Sequence, residues 1–247
     1  MKCALLIISC DNYSDLWAPM INSIENSWPD CPLEKFIVTN KKKISLHGFN
    51  SIEVGKDKGW SSGVLLAISK LEEKYDYVLT TIEDTPLSEK VNTEKFMNLF
   101  NSFIKDKGHF LSLTGRPFPN KKYNSLYGMI IPKSKYRANC VFGIWKIDSL
   151  KSMLSIEENA WEFETNIIER SKHLSGFYSV KKSFFTYLHI VNRGKFINVD
   201  LRKAKRIGIN YENTKRMKMN FIDEIIFLFK VNSIKIMKNV GMIKNKK

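Results

Sequence analysis

Glu83 and Asp84 stand side by side directly after the β-rich run 77–82, Tyr-Val-Leu-Thr-Thr-Ile, and Pro86 keeps that run from continuing as a strand. Adjacent carboxylates at the carboxyl end of a strand in an open α/β sheet are placed to bind a divalent metal or a phosphate-bearing substrate. The plainer alternative is a polar strand end in which Asp84 bonds its own backbone. A second acidic cluster lies in residues 157–164, Glu-Glu-Asn-Ala-Trp-Glu-Phe-Glu, at a helix start. Two such sites could divide the labour of a group transfer. One would hold a cation that neutralises a diphosphate leaving group, and the other would act as general base on an acceptor hydroxyl.

The elements that must position these groups follow from apolar spacing. Residues 2–9 read as a buried parallel strand running into the polar loop Cys10-Asp11-Asn12-Tyr13. A helix is expected over 14–26, stopped by Trp28-Pro29-Asp30-Cys31-Pro32, then strands at 35–39 and 51–54. Val64, Leu65, Ile68 and Leu71 mark one face of a helix over 61–74, with Ser61 or Ser62 as its cap. The run 77–82 is then the fourth strand of a β-α-β-β-α-β order, which indicates a mainly parallel sheet with helices on its faces. Further on, the pattern predicts helices over 91–107, 147–154 and 161–170. It predicts strands at 110–113, 127–131, 141–147 and 177–180, and an extended stretch over 184–191. Residues 1–200 read as one α/β domain. Residues 201–205 read as a connection, and 217–240 as a basic amphipathic helix in a tail spanning 201–247.

Composition narrows the class. The hydrophobic content of 43% is that of a folded globular chain. The net charge of +15 is uneven: residues 201–247 hold 13 Lys/Arg against 3 Asp/Glu, so about two-thirds of the surplus sits in the tail. Such asymmetry points to an anionic partner, an anionic membrane surface or nucleic acid. The apolar runs at residues 5–8 and 225–229 fall far short of the roughly 18 to 20 residues that span a bilayer, and no secretory signal is evident. The four cysteines, Cys3, Cys10, Cys31 and Cys140, show no zinc spacing and read as reduced thiols of a cytosolic protein. There is no G-x-G-x-x-G, Walker A, G-x-S-x-G or H-E-x-x-H pattern, which argues against a dinucleotide fold, a P-loop NTPase, a serine hydrolase and a zinc protease.

Taken in order, Ser9-Cys10-Asp11-Asn12-Tyr13-Ser14-Asp15-Leu16-Trp17, Trp28-Pro29-Asp30-Cys31-Pro32, Gly59-Trp60-Ser61, the 77–85 run and Asn159-Ala160-Trp161-Glu162-Phe163-Glu164 resemble bacterial glycosyltransferases of GT-A type that build lipopolysaccharide and capsule. The likeness runs from about residue 3 to residue 200. It implies a Rossmann-like α/β domain that binds a nucleoside-diphosphate sugar on its N-terminal half and an oligosaccharide or lipid-linked acceptor on its C-terminal half. The usual Asp-x-Asp metal motif is replaced here by Glu83-Asp84-Thr85. Asp84, and with it Glu83, could still hold Mn²⁺ or Mg²⁺. The resemblance also implies a base at the opening of the acceptor-side helix, Glu164 first and Glu162 second. A helix N-terminus would lower the pKa of either. His189 lies where such enzymes often place a C-terminal metal-binding histidine.

For the donor, the loop after the first strand offers Asp11 to ribose or base and Tyr13 as a stacking ring. Trp60 and Ser61 open a helix whose N–H groups favour phosphate or a sugar hydroxyl. Arg193 and Lys195 could reach the diphosphate. Arg116, Phe118 and Trp145 are weaker acceptor candidates. The expected function is transfer of a sugar to a bacterial surface glycan by a peripheral enzyme on the inner face of the cytoplasmic membrane. Two other readings remain: a nucleic-acid-binding protein using the basic tail, and a non-catalytic scaffold of the same fold.

Overall fold

The computed structural model describes residues 1–212 and 214–229. The chain runs β1 (Cys3–Ile8), a 3-10 turn (Asp11–Leu16), α1 (Trp17–Ser27), β2 (Glu34–Thr39), β3 (Ser45–Leu46), β4 (Phe49–Glu53), α2 (Trp60–Leu71), β5 (Tyr77–Ile82) and α3 (Thr93–Lys105). It continues with β6 (Phe110–Ser112), β7 (Lys121–Lys122), β8 (Tyr127–Met129), β9 (Gly143–Lys146), α4 (Ile147–Met153), α5 (Ala160–Arg170) and β10 (Phe177–Val180). A small hairpin, β11 (Val191–Asn192) and β12 (Lys195–Phe196), leads into α6 (Asn198–Arg206), and residues 221–229 are helical.

One sheet carries the fold, in the order β3-β4-β2-β1-β5-β9-β6-β10-β8-β7. Its longest ladders are parallel: β1 lies between β2 and β5, and β4 pairs with β2. Antiparallel β9 then joins β5 to β6, so the second half of the sheet is mixed. Side chains alternate across the pleat. Leu5, Ile7 and Leu79 meet Trp17, Met20 and Ile24 of α1 and Phe96, Phe100 and Phe103 of α3 on one face. Ala4, Leu6, Ile8 and Val78 meet Val64 and Ile68 of α2, Leu150 of α4 and Phe163 and Ile167 of α5 on the other. The result is a three-layer α/β domain, each face closed by apolar side chains worth roughly 1.5–3 kcal/mol apiece when fully buried.

Several local expectations change. Run 77–82 is the fifth strand, because Ser45–Leu46 forms a short hairpin partner for β4. Helix α2 is entered through Gly59 at its cap position, whose φ of +102° suits glycine, and Ser61 and Ser62 lie buried inside its first turn rather than capping it. Residues 201–205 are not a connection: they lie within α6, whose Ala204 packs with Leu16, Ile190, Phe196, Ile209 and Tyr211 in a third apolar cluster. Within 184–191 only Val191 pairs as a strand, while the preceding residues run extended along residues 84–88. Of the basic helix expected over 217–240, residues 221–229 are helical; Lys230, Lys235, Ile236, Lys238 and Val240 lie outside the described residues.

Candidate active site

The strand order places the site. From β1 the chain moves outward through β2 to β4, then returns to add β5 on the other side of β1. That reversal makes a crevice at the carboxyl ends of β1 and β5, the place where open α/β sheets bind ligands. The two strands are parallel, with Ile8 opposite Ile82, so Ser9-Cys10 and Glu83-Asp84 emerge side by side. A cleft of about 540 Å³ opens there. Its walls include the Ser9–Tyr13 loop, the Glu83–Thr85 strand end, Trp60, the start of α5 and the segment from Tyr187 to Gly194.

That last segment is anchored to the strand end by its backbone. The N–H groups of Leu188 and Ile190 donate to the carbonyls of Pro86 and Asp84, each at 3.0 Å. The docking sets His189 Nε2 3.7 Å from Asp84 Oδ2. Asp84 is only 9% exposed, and its Oδ1 has no hydrogen-bond partner among the described residues. An ionised oxygen left unpaired in a buried setting is costly unless a ligand satisfies it. Burial pushes the Asp84 carboxyl above its ordinary pKa, and the neighbouring His189 and Arg216 pull back only in part. Burial also raises Glu83, with the adjacent Asp84 charge adding to the effect.

The described residues contain no group of three His, Cys, Asp or Glu able to hold a metal by themselves. The chemistry of the donors present fits a cation that takes one carboxylate and an imidazole and fills its shell with phosphate oxygens and water. The Asp84 carboxylate, with Oδ2 beside His189 and Oδ1 without a partner among the described residues, is the observation that favours this fit.

Helix α5 supplies the opposite wall. Asn159 caps it by accepting from the N–H groups of Trp161 and Glu162, and the Glu162 carboxylate closes the capping box on the Asn159 N–H at 2.9 Å. Glu162 is therefore engaged at the helix end and does not line the cleft. Glu164 does line it, one turn into the helix, and accepts from the Cys140 N–H at 3.1 Å. The lowered pKa expected for Glu164 is not found. It lies beyond the free N–H groups of the first turn, and burial outweighs the Cys140 hydrogen bonds and raises its carboxyl. Trp161 stands on the cleft rim with 74% of its surface exposed, so it is not a core residue. Trp145, by contrast, is buried against Phe110.

The donor-side residues divide in the same way. Tyr13, Trp60 and Arg193 line the cleft; Asp11, Ser61 and Lys195 do not. The Asp11 carboxylate accepts from the backbone N–H groups of Asn40, Lys41 and Lys42, which stitches the β1 loop to the end of β2 and lowers its pKa against a desolvation that acts the other way. Ser61 is fully buried, and its N–H donates to the Glu158 carbonyl at 3.2 Å. Lys195 sits in β12, just past the turn in which Arg193 and Gly194 both take positive φ. That geometry belongs to a two-residue hairpin turn of the primed type and carries Arg193 to the cleft.

Sequence reasoning missed Arg216. It comes back from the C-terminal segment to ion-pair with Asp15 at 2.7 Å and to cover the Tyr13 ring. No local signal marks it, because its partners are two hundred residues away. It also missed Asn40, whose side chain accepts from the Asp11 N–H while lining the cleft.

The architecture is an α/β domain of GT-A type. The chain shares its fold with Staphylococcus aureus TarS, with a TM-score of 0.54 at 11% identity over 93% of this chain and 42% of that one. Against TarS residues 1–349 in complex with UDP-GlcNAc the TM-score is 0.53 at 12% identity, over 91% of this chain and 69% of that one. The chain thus spans less than half the length of the longer TarS chain, and at these identities the likeness is one of fold. No protein-family model and no curated protein matches the chain.

Proposed function

We propose that this protein is a glycosyltransferase that moves a sugar from a nucleoside-diphosphate sugar to a hydroxyl of a bacterial surface glycan. The observation that carries the reading is the cleft at the sheet's reversal point, where the buried Asp84 carboxylate and His189 share a cavity with Glu164. The fold shared with TarS, which has been seen with UDP-GlcNAc bound, supports a nucleotide-sugar donor.

In this reading the nucleotide lies on the β1 loop with its base at Tyr13 and its diphosphate toward Asp84, His189 and Arg193. Mn²⁺ or Mg²⁺ held by Asp84 and His189 would neutralise the charge of the leaving diphosphate. Glu164 takes the proton of the acceptor hydroxyl. A carboxyl whose pKa is raised by burial is a stronger base once ionised than an ordinary one, which suits that role. Trp161 on the rim offers an apolar face to an acceptor sugar, and Glu83 supports the strand end or joins the cation. Asp11, Ser61, Glu162 and Lys195 act at one remove, through the loop, the helix starts and the hairpin.

The acceptor polymer is a lipopolysaccharide, O-antigen or capsule glycan, and the protein works on the cytoplasmic face of the membrane with its C-terminal segment on anionic lipid. No helix among the described residues is long and apolar enough to cross a bilayer. In the 221–229 helix Phe221, Ile222 and Ile225 are exposed, while Glu224 is buried and accepts from Val199 N–H at 2.7 Å and from Asn198 Nδ2 at 2.6 Å. Glu224 therefore docks the helix on α6, Phe227 packs edge-on against His189, and Phe221, Ile222 and Ile225 face outward, an arrangement that suits a membrane interface. Incubating the purified chain with a panel of nucleotide sugars and Mn²⁺ tests the activity. Binding and slow hydrolysis of one donor is expected, and no binding or turnover of any donor contradicts the proposal.

A further inference from the structure

The segment after α6 returns across the domain to the nucleotide side of the cleft. Phe196 N–H donates to the Met217 carbonyl and Met219 N–H to the Phe196 carbonyl, at 2.9 and 2.8 Å, so Arg216 is held beside a fixed strap. Arg216 Nε and Nη2 donate to the two oxygens of Asp15 at 2.7 and 2.8 Å, and Nη2 also donates to the Asn12 carbonyl at 3.2 Å. This fork is a geometry that lysine cannot reproduce. It leaves the guanidinium carbon 4.4 Å from the centre of the Tyr13 ring, which itself lines the cleft.

We propose that Arg216 is a positioning residue for Tyr13. The fork to Asp15 fixes the guanidinium, the guanidinium covers one face of the phenol, and the ring is thereby held as a stacking platform for a planar nucleobase. The base end of the nucleotide subsite is completed by the C-terminal segment, although Tyr13 itself comes from the loop after the first strand. The inference rests on the reading of the cleft as a nucleotide-sugar site, and it specifies which protein group recognises the base.

The test uses the full chain. UDP, CDP, GDP and ADP are titrated first, and the tightest binder is carried into Arg216→Ala, Arg216→Lys, Tyr13→Ala and the Arg216→Ala/Tyr13→Ala double variant, with inorganic pyrophosphate as the probe that lacks a base. Arg216→Ala is expected to weaken the nucleotide roughly tenfold more than it weakens pyrophosphate, the excess being the scale of one stacking contact. Arg216→Lys is expected to behave like the alanine variant and to keep the melting temperature, which separates loss of the fork from loss of the fold. In the Tyr13→Ala background, Arg216→Ala should add nothing further. Equal losses for nucleotide and pyrophosphate, or losses that multiply in the double variant, would overturn the proposal. If the wild-type chain binds no nucleoside diphosphate at all, the donor reading of the cleft fails, and this inference fails with it.

Discussion

Asp84 is buried with one oxygen unpaired, and Glu83 beside it is buried as well. Retaining two desolvated carboxyls at a strand end opposes stability, which is the expected cost of a binding site. Asp84→Asn keeps the shape and removes the charge, so it should abolish transfer while raising the melting temperature. An unchanged turnover, or a melting temperature that falls, would count against the assignment. The pH dependence follows from the same burial. Because the folded-state pKa of Glu83 lies above its unfolded value, the folded protein keeps a proton that the unfolded chain has released. The stabilisation is therefore present at low pH and lost as pH rises from the ordinary carboxylate range through the raised value. Urea unfolding at pH 5 and pH 8 should show a stability drop that Glu83→Gln reduces; equal drops in both proteins would contradict it. Glu164→Gln should lower transfer by roughly 10²- to 10⁴-fold and leave donor affinity intact, as measured by steady-state kinetics and titration. At this scale the sequence marked Glu83, Asp84, Tyr13, Trp60, Glu164, His189 and Arg193, all of which reach one cleft. Asp11, Ser61, Glu162 and Lys195 carry equally suitable chemistry but are occupied or turned elsewhere, and residue type alone does not reveal that.

Among the elements, α5 was legible from the acidic run at its start, and the structure adds what was not read there, a capping box between Asn159 and Glu162. Breaking the box with Glu162→Ala should cost about 0.5–1 kcal/mol of stability by denaturant unfolding while leaving turnover intact, and so distinguishes the two glutamates of the helix. A loss of turnover comparable with that of Glu164→Gln would reverse the assignment. The continuous apolar run of β1 and the spacing of α3 were also plain. Helix α6 was not, since its nine residues include four Lys/Arg and only Ala204 is buried. Its place is set by tertiary contacts: Ala204 in the third cluster and Glu224 at its first turn. The start of α2 was misread because a serine near an apolar run suggests a cap, whereas the chain uses the positive φ of Gly59 and satisfies the Ser61 N–H with the carbonyl of Glu158.

On the scale of the whole molecule, the order of strands converts dispersed residues into one site. The alternation of strands and helices was readable apart from the two-residue β3, whereas the reversal between β1 and β5 is set by sheet order and was not. The antiparallel insertion of β9 was not, because its short apolar run gives no sign of strand direction. The return of the C-terminal segment through Arg216 was likewise hidden, since contacts across two hundred residues leave no local pattern. If that segment also seats the protein on lipid, sedimentation with vesicles containing phosphatidylserine should capture the full chain, and capture should fall with added salt. Phe221→Ser/Ile225→Ser should weaken it without changing turnover on a soluble acceptor. Undiminished capture of the double variant would place the contact elsewhere. The central claim, that this cleft binds a nucleotide sugar at Asp84, is tested most directly by a crystal of the chain soaked with a nucleoside diphosphate and Mn²⁺. The account predicts an anomalous manganese peak between Asp84, His189 and the diphosphate, with the base at Tyr13; a nucleotide bound away from the β1–β5 crevice, or manganese without Asp84 in its shell, would contradict it.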